Sequence, residues 1–197
     1  HLQTGHLGWK TDDLLIIGAR GAGKYRQLAI QVKLRFTISS KDKDCKEVIT
    51  NFWSDFKSKD TFDHTKDCLG LVTLRATDAL LKLNGLLDCA RASADGADFA
   101  RRLATAGYLS KTAQNHATEI RAIIEGVEGQ APSDDNVWRF LRVLHFVNFD
   151  LNTSTSQNEA WIKSLLAQTS HEPDPLVAAE ATWRELLELV GAGMPTA

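Results

Sequence analysis

Residues 27–38 read QLAIQVKLRFTI, and this alternation constrains the fold more than any other stretch. Leu28, Ile30, Val32, Leu34, Phe36 and Ile38 alternate with Gln27, Ala29, Gln31, Lys33, Arg35 and Thr37. A period of two in β-branched and aromatic residues predicts a half-buried strand. On this reading the apolar series faces the core, and Gln31, Lys33 and Arg35 project together towards a cleft or solvent. A second apolar run, Leu14 to Ile17, lies upstream and follows Asp12 and Asp13 directly. The two runs predict a pair of strands joined by Gly18 to Lys24.

An acid on one strand beside Gln-x-Lys on the next has a chemical use. Phosphodiester hydrolysis needs an activated water, neutralisation of the phosphate and help for the leaving oxygen. Mg²⁺ takes oxygen ligands, often only one or two carboxylates plus waters. Asp13 supplies a carboxylate, Gln31 an amide oxygen and Val32 a backbone carbonyl, with Lys33 against the water or the phosphate. The plain alternative is a solvated strand face, because Gln-x-Lys alone has almost no specificity.

Asp13 followed by Gln31-x-Lys33 on the next strand and then by a helix resembles the PD-(D/E)XK restriction-endonuclease-like core, in a variant where glutamine replaces the middle acid. HLGWKTDDLLIIG together with LAIQVKLRFTISSKDKDCKEVITNFWSDF is similar to nuclease domains fused to the N-terminus of bacterial antiphage STAND/NACHT ATPases. The helical remainder is similar in pattern, in LLDCARASADGADFARRL, around Trp138 and in ATWRELLELV. The resemblance implies an α/β fold, a restriction-endonuclease-like mixed sheet followed by an α-helical subdomain. It implies a metal-dependent DNA endonuclease using Mg²⁺ or Mn²⁺, with Asp13, Gln31 and Lys33 catalytic. Asp13, Gln31 and Val32 would hold the metal, Lys10 and Arg35 would contact DNA, and Asp12 is a further candidate. Its implied partners are DNA, a downstream ATPase domain and further copies of the chain. In that core the helix after Lys33 covers the sheet, and the next strand pairs beside the Lys33 strand. Such domains usually open with a helix that can carry another metal-ligating Glu, and none precedes Asp12 in this sequence. With Gln31 in place of an acid, this keeps open a catalytically degenerate module that binds nucleic acid or protein.

Gly18 to Lys24 also satisfies G-x-x-x-x-G-K, the start of a phosphate-binding P-loop. Tyr25 follows where Ser or Thr would hold Mg²⁺, and a P-loop must open a helix. A strand follows here instead, so a hairpin connection is expected and a nucleotide binder is the weakest reading.

The remaining sequence predicts an α/β core over residues 1–76, a helical subdomain over 77–191 and a tail over 192–197. The expected elements are strands at 14–17, 27–38 and 69–74 and a short one near 146–151. Helices are expected at about 41–57, 78–92, 96–106, 111–127, 134–144, 156–169 and 175–190. Ser39 or Ser40, Ser110 and Ser133 are the expected N-caps, and Gly126, Gly129 and Gly191 the helix ends. Trp53, Phe56, Trp138, Phe140, Trp161 and Trp183 are expected in the core, His64 and His116 at the surface and His145 packed. The 197 residues carry a net charge of −2, which announces no global affinity for nucleic acid. Residues 1–60 hold eleven Lys and Arg against seven Asp and Glu, so the nuclease-like half is mildly basic. Cys45, Cys68 and Cys89 are scattered, without zinc spacing, and fit a reduced cytoplasmic compartment. No apolar run reaches the ~18 residues of a membrane span, so no membrane partner is expected.

Overall fold

A computed structural model describes residues 7–11, 13–20, 24–148, 160, 163–164, 167 and 174–193. The chain divides into two compact units, residues 1–148 and 149–197. The first holds a four-stranded mixed sheet in the order β1 (Leu14–Arg20), β2 (Lys24–Arg35), β3 (Cys68–Arg75) and β4 (Leu144–Asn148). β1 runs antiparallel to β2, while β2, β3 and β4 are mutually parallel. This is the α/β class expected. Parallel neighbours need long crossovers. α1 (Lys43–Lys57) supplies the first, and α2 (Asp78–Leu81), α3 (Leu83–Ala92), α4 (Gly96–Ala104), α5 (Lys111–Glu128) and α6 (Asp134–Val143) lie within the second. In the second unit, α7 spans Pro175–Gly193, with Ala179 and Trp183 buried.

The change from strands to helices near residue 76 is present, but packing does not divide there. β4 lies after five helices, and one continuous core runs from Trp9 to Phe146. Trp53 on α1 meets Phe140 on α6 edge to face at 5.3 Å, and Phe56 meets Phe140 at 5.5 Å. Such pairs add about 0.5–1.5 kcal/mol beyond the area they bury. Trp138 is buried and donates its Nε1–H to the Ala90 carbonyl at 2.9 Å, joining α6 to α3. Trp161 lies outside the described residues.

The buried side of β2 is the reverse of the expected one. Ala29 and Gln31 are buried and Lys33 is half-buried, whereas Val32 and Leu34 are 41% and 46% exposed, and within the strand only Ile30 of the apolar series is buried. Side chains alternate across a sheet, so Leu15, Ala29, Gln31, Leu69, Leu71, Thr73, Leu144 and Phe146 share the inner face. The physical reason is volume. Small Ala29 accommodates a cover rich in bulky residues, whose Phe52, Trp53 and Phe99 are fully buried. Leu28 and Ile30 of the apolar series instead join Ile16, Val72 and Val147 along a shallow groove of about 440 Å³ on the other face. Phe36 and Ile38 are buried, but they lie past the end of the strand.

Local signals explain the element ends. Asp42, not Ser39 or Ser40, caps α1, accepting from the Cys45 N–H at 2.8 Å. Ser110 and Ser133 cap α5 and α6 as expected. Gly129 ends α5 with φ +71°, where its lack of a Cβ removes the left-handed penalty. Gly126 lies inside α5 and Gly191 inside α7, so neither marks an end. α7 runs to Gly193, into the expected tail, and 194–197 lie outside the described residues. Of the helix expected at 156–169, only residues 160, 163, 164 and 167 are described, all helical. His116 is buried, its Nε2 2.8 Å from the Ala79 carbonyl, which corrects the surface assignment. His64 is exposed as expected. His145 is exposed too, because the alternation of β4 turns it away from Leu144 and Phe146. Among the described residues no helix is long and apolar enough to cross a membrane.

Two outcomes follow from this packing. A Cβ on Gly96 would stand 2.5 Å from the Asp135 backbone, where α4 abuts the start of α6. Gly96→Ala is expected to lower the unfolding free energy by about 1–3 kcal/mol in urea titrations. Burial, aided by the nearby Asp42 and Glu119, pushes the Cys45 thiol up to about 11, with only a backbone hydrogen bond near Ser39 opposing it. At pH 8 about a thousandth of it is thiolate, so a thiol reagent should modify Cys45 only as fast as the chain unfolds.

Candidate active site

The site forms where the C-terminal halves of the three parallel strands meet the start of β1. Asp13 immediately precedes β1, and the antiparallel register brings it opposite Gln31. Its Oδ2 accepts from the Gln31 side-chain amide and, at 2.6 Å, from the Val32 backbone N–H. Two residues on, Lys33 shares the inner face with Gln31 and pairs in register with Thr73. Thr73 is fully buried and donates to the Asn148 side-chain oxygen at 3.4 Å. Asp13, Gln31 and Lys33 are thus brought together, with Thr73 and Asn148 continuing the polar row.

Asp55 holds this corner in place, and sequence reasoning did not single it out. It sits on α1, 1% exposed, and accepts the Lys10 N–H at 2.7 Å and the Thr11 N–H at 2.8 Å. Those bonds tie the segment leading into Asp13 to the helix that covers the sheet. The available signal was an acid on the apolar stripe of a helix, flanked by Trp53 and Phe56. A buried carboxylate needs donors from elsewhere in the chain.

The other expected residues are arranged differently. Lys10 and Arg35 are exposed, and the Val32 side chain points to the open face while its N–H meets Asp13. Asp12 lies outside the described residues. Lys24 opens a strand, and Arg20 pairs with it across an antiparallel hairpin, so no helix follows the glycines as a P-loop requires. Residues 21–23 of that stretch lie outside the described residues.

Among the described residues no cluster of three or more His, Cys, Asp and Glu could hold a metal. Oδ1 of Asp13 and the amide oxygen of Gln31 make no hydrogen bond to another described residue, and both are hard donors. One carboxylate and one amide suit a cation that keeps most of its waters, as Mg²⁺ does, and not an all-protein cage. Lys33 has no carboxylate within salt-bridge distance among the described residues, so its charge is available to an incoming anion.

No family model, curated protein or solved structure matches this chain.

Asp55→Ala removes the acceptor for two backbone N–H groups and is expected to cost about 1–3 kcal/mol of stability. Asp55→Asn keeps an acceptor oxygen and should cost less. Chemical denaturation of both variants measures the difference, and wild-type stability in Asp55→Ala would remove Asp55 from this role.

Proposed function

We propose that this chain is a metal-dependent endonuclease domain that hydrolyses phosphodiester bonds in DNA. The observation that carries the reading is the pairing of Asp13 with Gln31 and the Val32 amide, with an uncompensated Lys33 two residues along the same strand face. The parallel β2–α1–β3 crossover also supports it, because that is the connectivity expected around such a site. Asp13 and Gln31, with the Val32 carbonyl, would hold Mg²⁺ or Mn²⁺. When bound, the ion supplies charge neutralisation at the phosphate and a more acidic water. Asp13 carries the anionic charge that recruits a cation. Gln31 fixes the orientation of that carboxylate through its buried amide. Lys33 places a positive charge where the attacked phosphate gains negative charge, an effect worth about 10²–10³ in rate for a single donor in other enzymes. Lys10 and Arg35 lie exposed on the segments flanking the site and suit phosphate contacts. The wider assignment, an effector module of a bacterial antiphage defence ATPase that cuts when assembled, rests on the sequence resemblance.

One observation favours a second reading, a nuclease-derived module that binds without cutting. Asp13 is the site's single described carboxylate, and its Oδ2 already receives two donors.

The test is cleavage of supercoiled plasmid by the chain in its full natural protein, with Mg²⁺ or Mn²⁺ and an EDTA control. Expected is metal-dependent cutting that falls at least about 100-fold in Lys33→Ala and disappears in Asp13→Ala, while Lys24→Ala cuts normally. Metal-independent DNA binding with no cutting supports the second reading. Loss of function in Lys24→Ala alone would revive nucleotide binding.

A further inference from the structure

The N-terminal ends of the parallel strands carry a second groove, far from Asp13. Lys33 lies seven residues beyond Arg26 along β2, about 23 Å at the rise of a strand. The groove has a volume of about 780 Å³. Its cations come from four places in the fold: Arg26 on β2, Lys66 before β3, Arg91 on α3, and Arg139 and Arg142 one turn apart on α6.

These five side chains line the groove, and Arg91 also donates its Nη1–H to the Leu144 carbonyl at 3.0 Å. Asp67 is the one acidic lining residue among those described, and it is 2% exposed. Both its oxygens are engaged, Oδ1 by the Gln27 N–H at 2.8 Å and Oδ2 by the Asp63 N–H at 2.9 Å and the Gln27 amide at 3.3 Å. Lys66, Arg91 and Arg139 pair with Asp63, Asp88 and Asp135, none of which lines the groove. Those carboxylates are 45–72% exposed, and such pairs hold by about 0–1 kcal/mol. A phosphate can therefore displace or share them. Arg26 and Arg142 have no carboxylate within salt-bridge distance among the described residues. The Arg142 guanidinium lies over the Trp138 ring at 4.7 Å, so its position is set before any ligand arrives. His64 on the rim is held below its ordinary pKa by burial and by Arg139 and Lys59, with Asp63 opposing, which fits a basic surrounding.

We propose that this groove binds the phosphate backbone of a nucleic acid, without reading sequence, at a site separate from Asp13, Gln31 and Lys33. Cations from four elements suit several successive phosphates, and each one neutralised releases counterions. The proposal goes beyond the nuclease reading and does not require it.

The test is binding of a fluorescein-labelled 20-base-pair DNA duplex to the full-length protein in EDTA, by anisotropy across a salt series. Arg139→Gln/Arg142→Gln is expected to weaken binding at least tenfold at low salt and to reduce the slope of log K against log salt by about two. Arg26→Gln, on a different element, should reduce the slope by about one, and Lys111→Ala, exposed at the start of α5 and in neither site, should leave binding unchanged. Matching thermal melts exclude unfolding as the cause. Wild-type affinity and slope in both groove variants would overturn the proposal. So would displacement of the duplex by equimolar ATP or pyrophosphate, which would make the groove a nucleotide site. Binding is read in EDTA, where no metal-dependent cutting occurs, and cutting is read in Asp13→Ala and Lys33→Ala, so the two readings fail independently.

Discussion

The buried carboxylate of Asp55 is the interaction on which the candidate site depends. It is nearly inaccessible to water, and the Lys10 and Thr11 amides satisfy its oxygens. α1 thereby fixes the start of β1, and with it the position of Asp13. Asp13 in turn grips β2 through the Val32 N–H and the Gln31 amide. The helix, the entering segment and the Lys33 strand are linked by hydrogen bonds in which two carboxylates are the acceptors. Bonds to charged groups contribute about 1.5–3 kcal/mol each, and losing a partner leaves buried donors unmet.

Much of the fold is legible in the sequence because it follows from local rules. Alternation marks β2, the apolar stripe marks α1, and Ser110 and Ser133 mark the starts of α5 and α6. The side of the sheet that is buried is not legible, since it depends on what packs against the sheet. Ala29 contributes little to an apolar count, yet it is the residue on which a cover rich in aromatics can lie closely. His116 illustrates the same limit: the Ala79 carbonyl that satisfies its ring lies 37 residues away. Ser39 and Ser40 are reasonable caps by type, but Asp42 has the position from which a side chain reaches the Cys45 amide.

The candidate site was legible where two short motifs had to be matched across one hairpin, 18 residues apart at Gln31 and Asp13. Asp55 was not, because an acid on a helix reads as solvated until its donors are known. The basic groove was hidden for another reason. Four of its five cations lie beyond residue 60, in the part of the chain with the net negative charge. Counting charge along the sequence averages Arg139 and Arg142 against Asp134 and Asp135, whereas folding places Arg139 and Arg142 on the groove wall.

The parallel pairing of β3 with β4 also governs when the sheet can be completed. Thr73 and Asn148 meet across 75 residues, with five helices between them. At about 5–20 residues per second, a ribosome needs roughly 4–15 s to deliver that interval. During that time β3 presents an unpaired edge, and Thr73 lacks its partner. The helices formed in the interval must hold the nascent sheet until its last strand arrives. Contacts this distant in sequence slow folding, because the chain between them must be ordered before the β3–β4 pairing is gained.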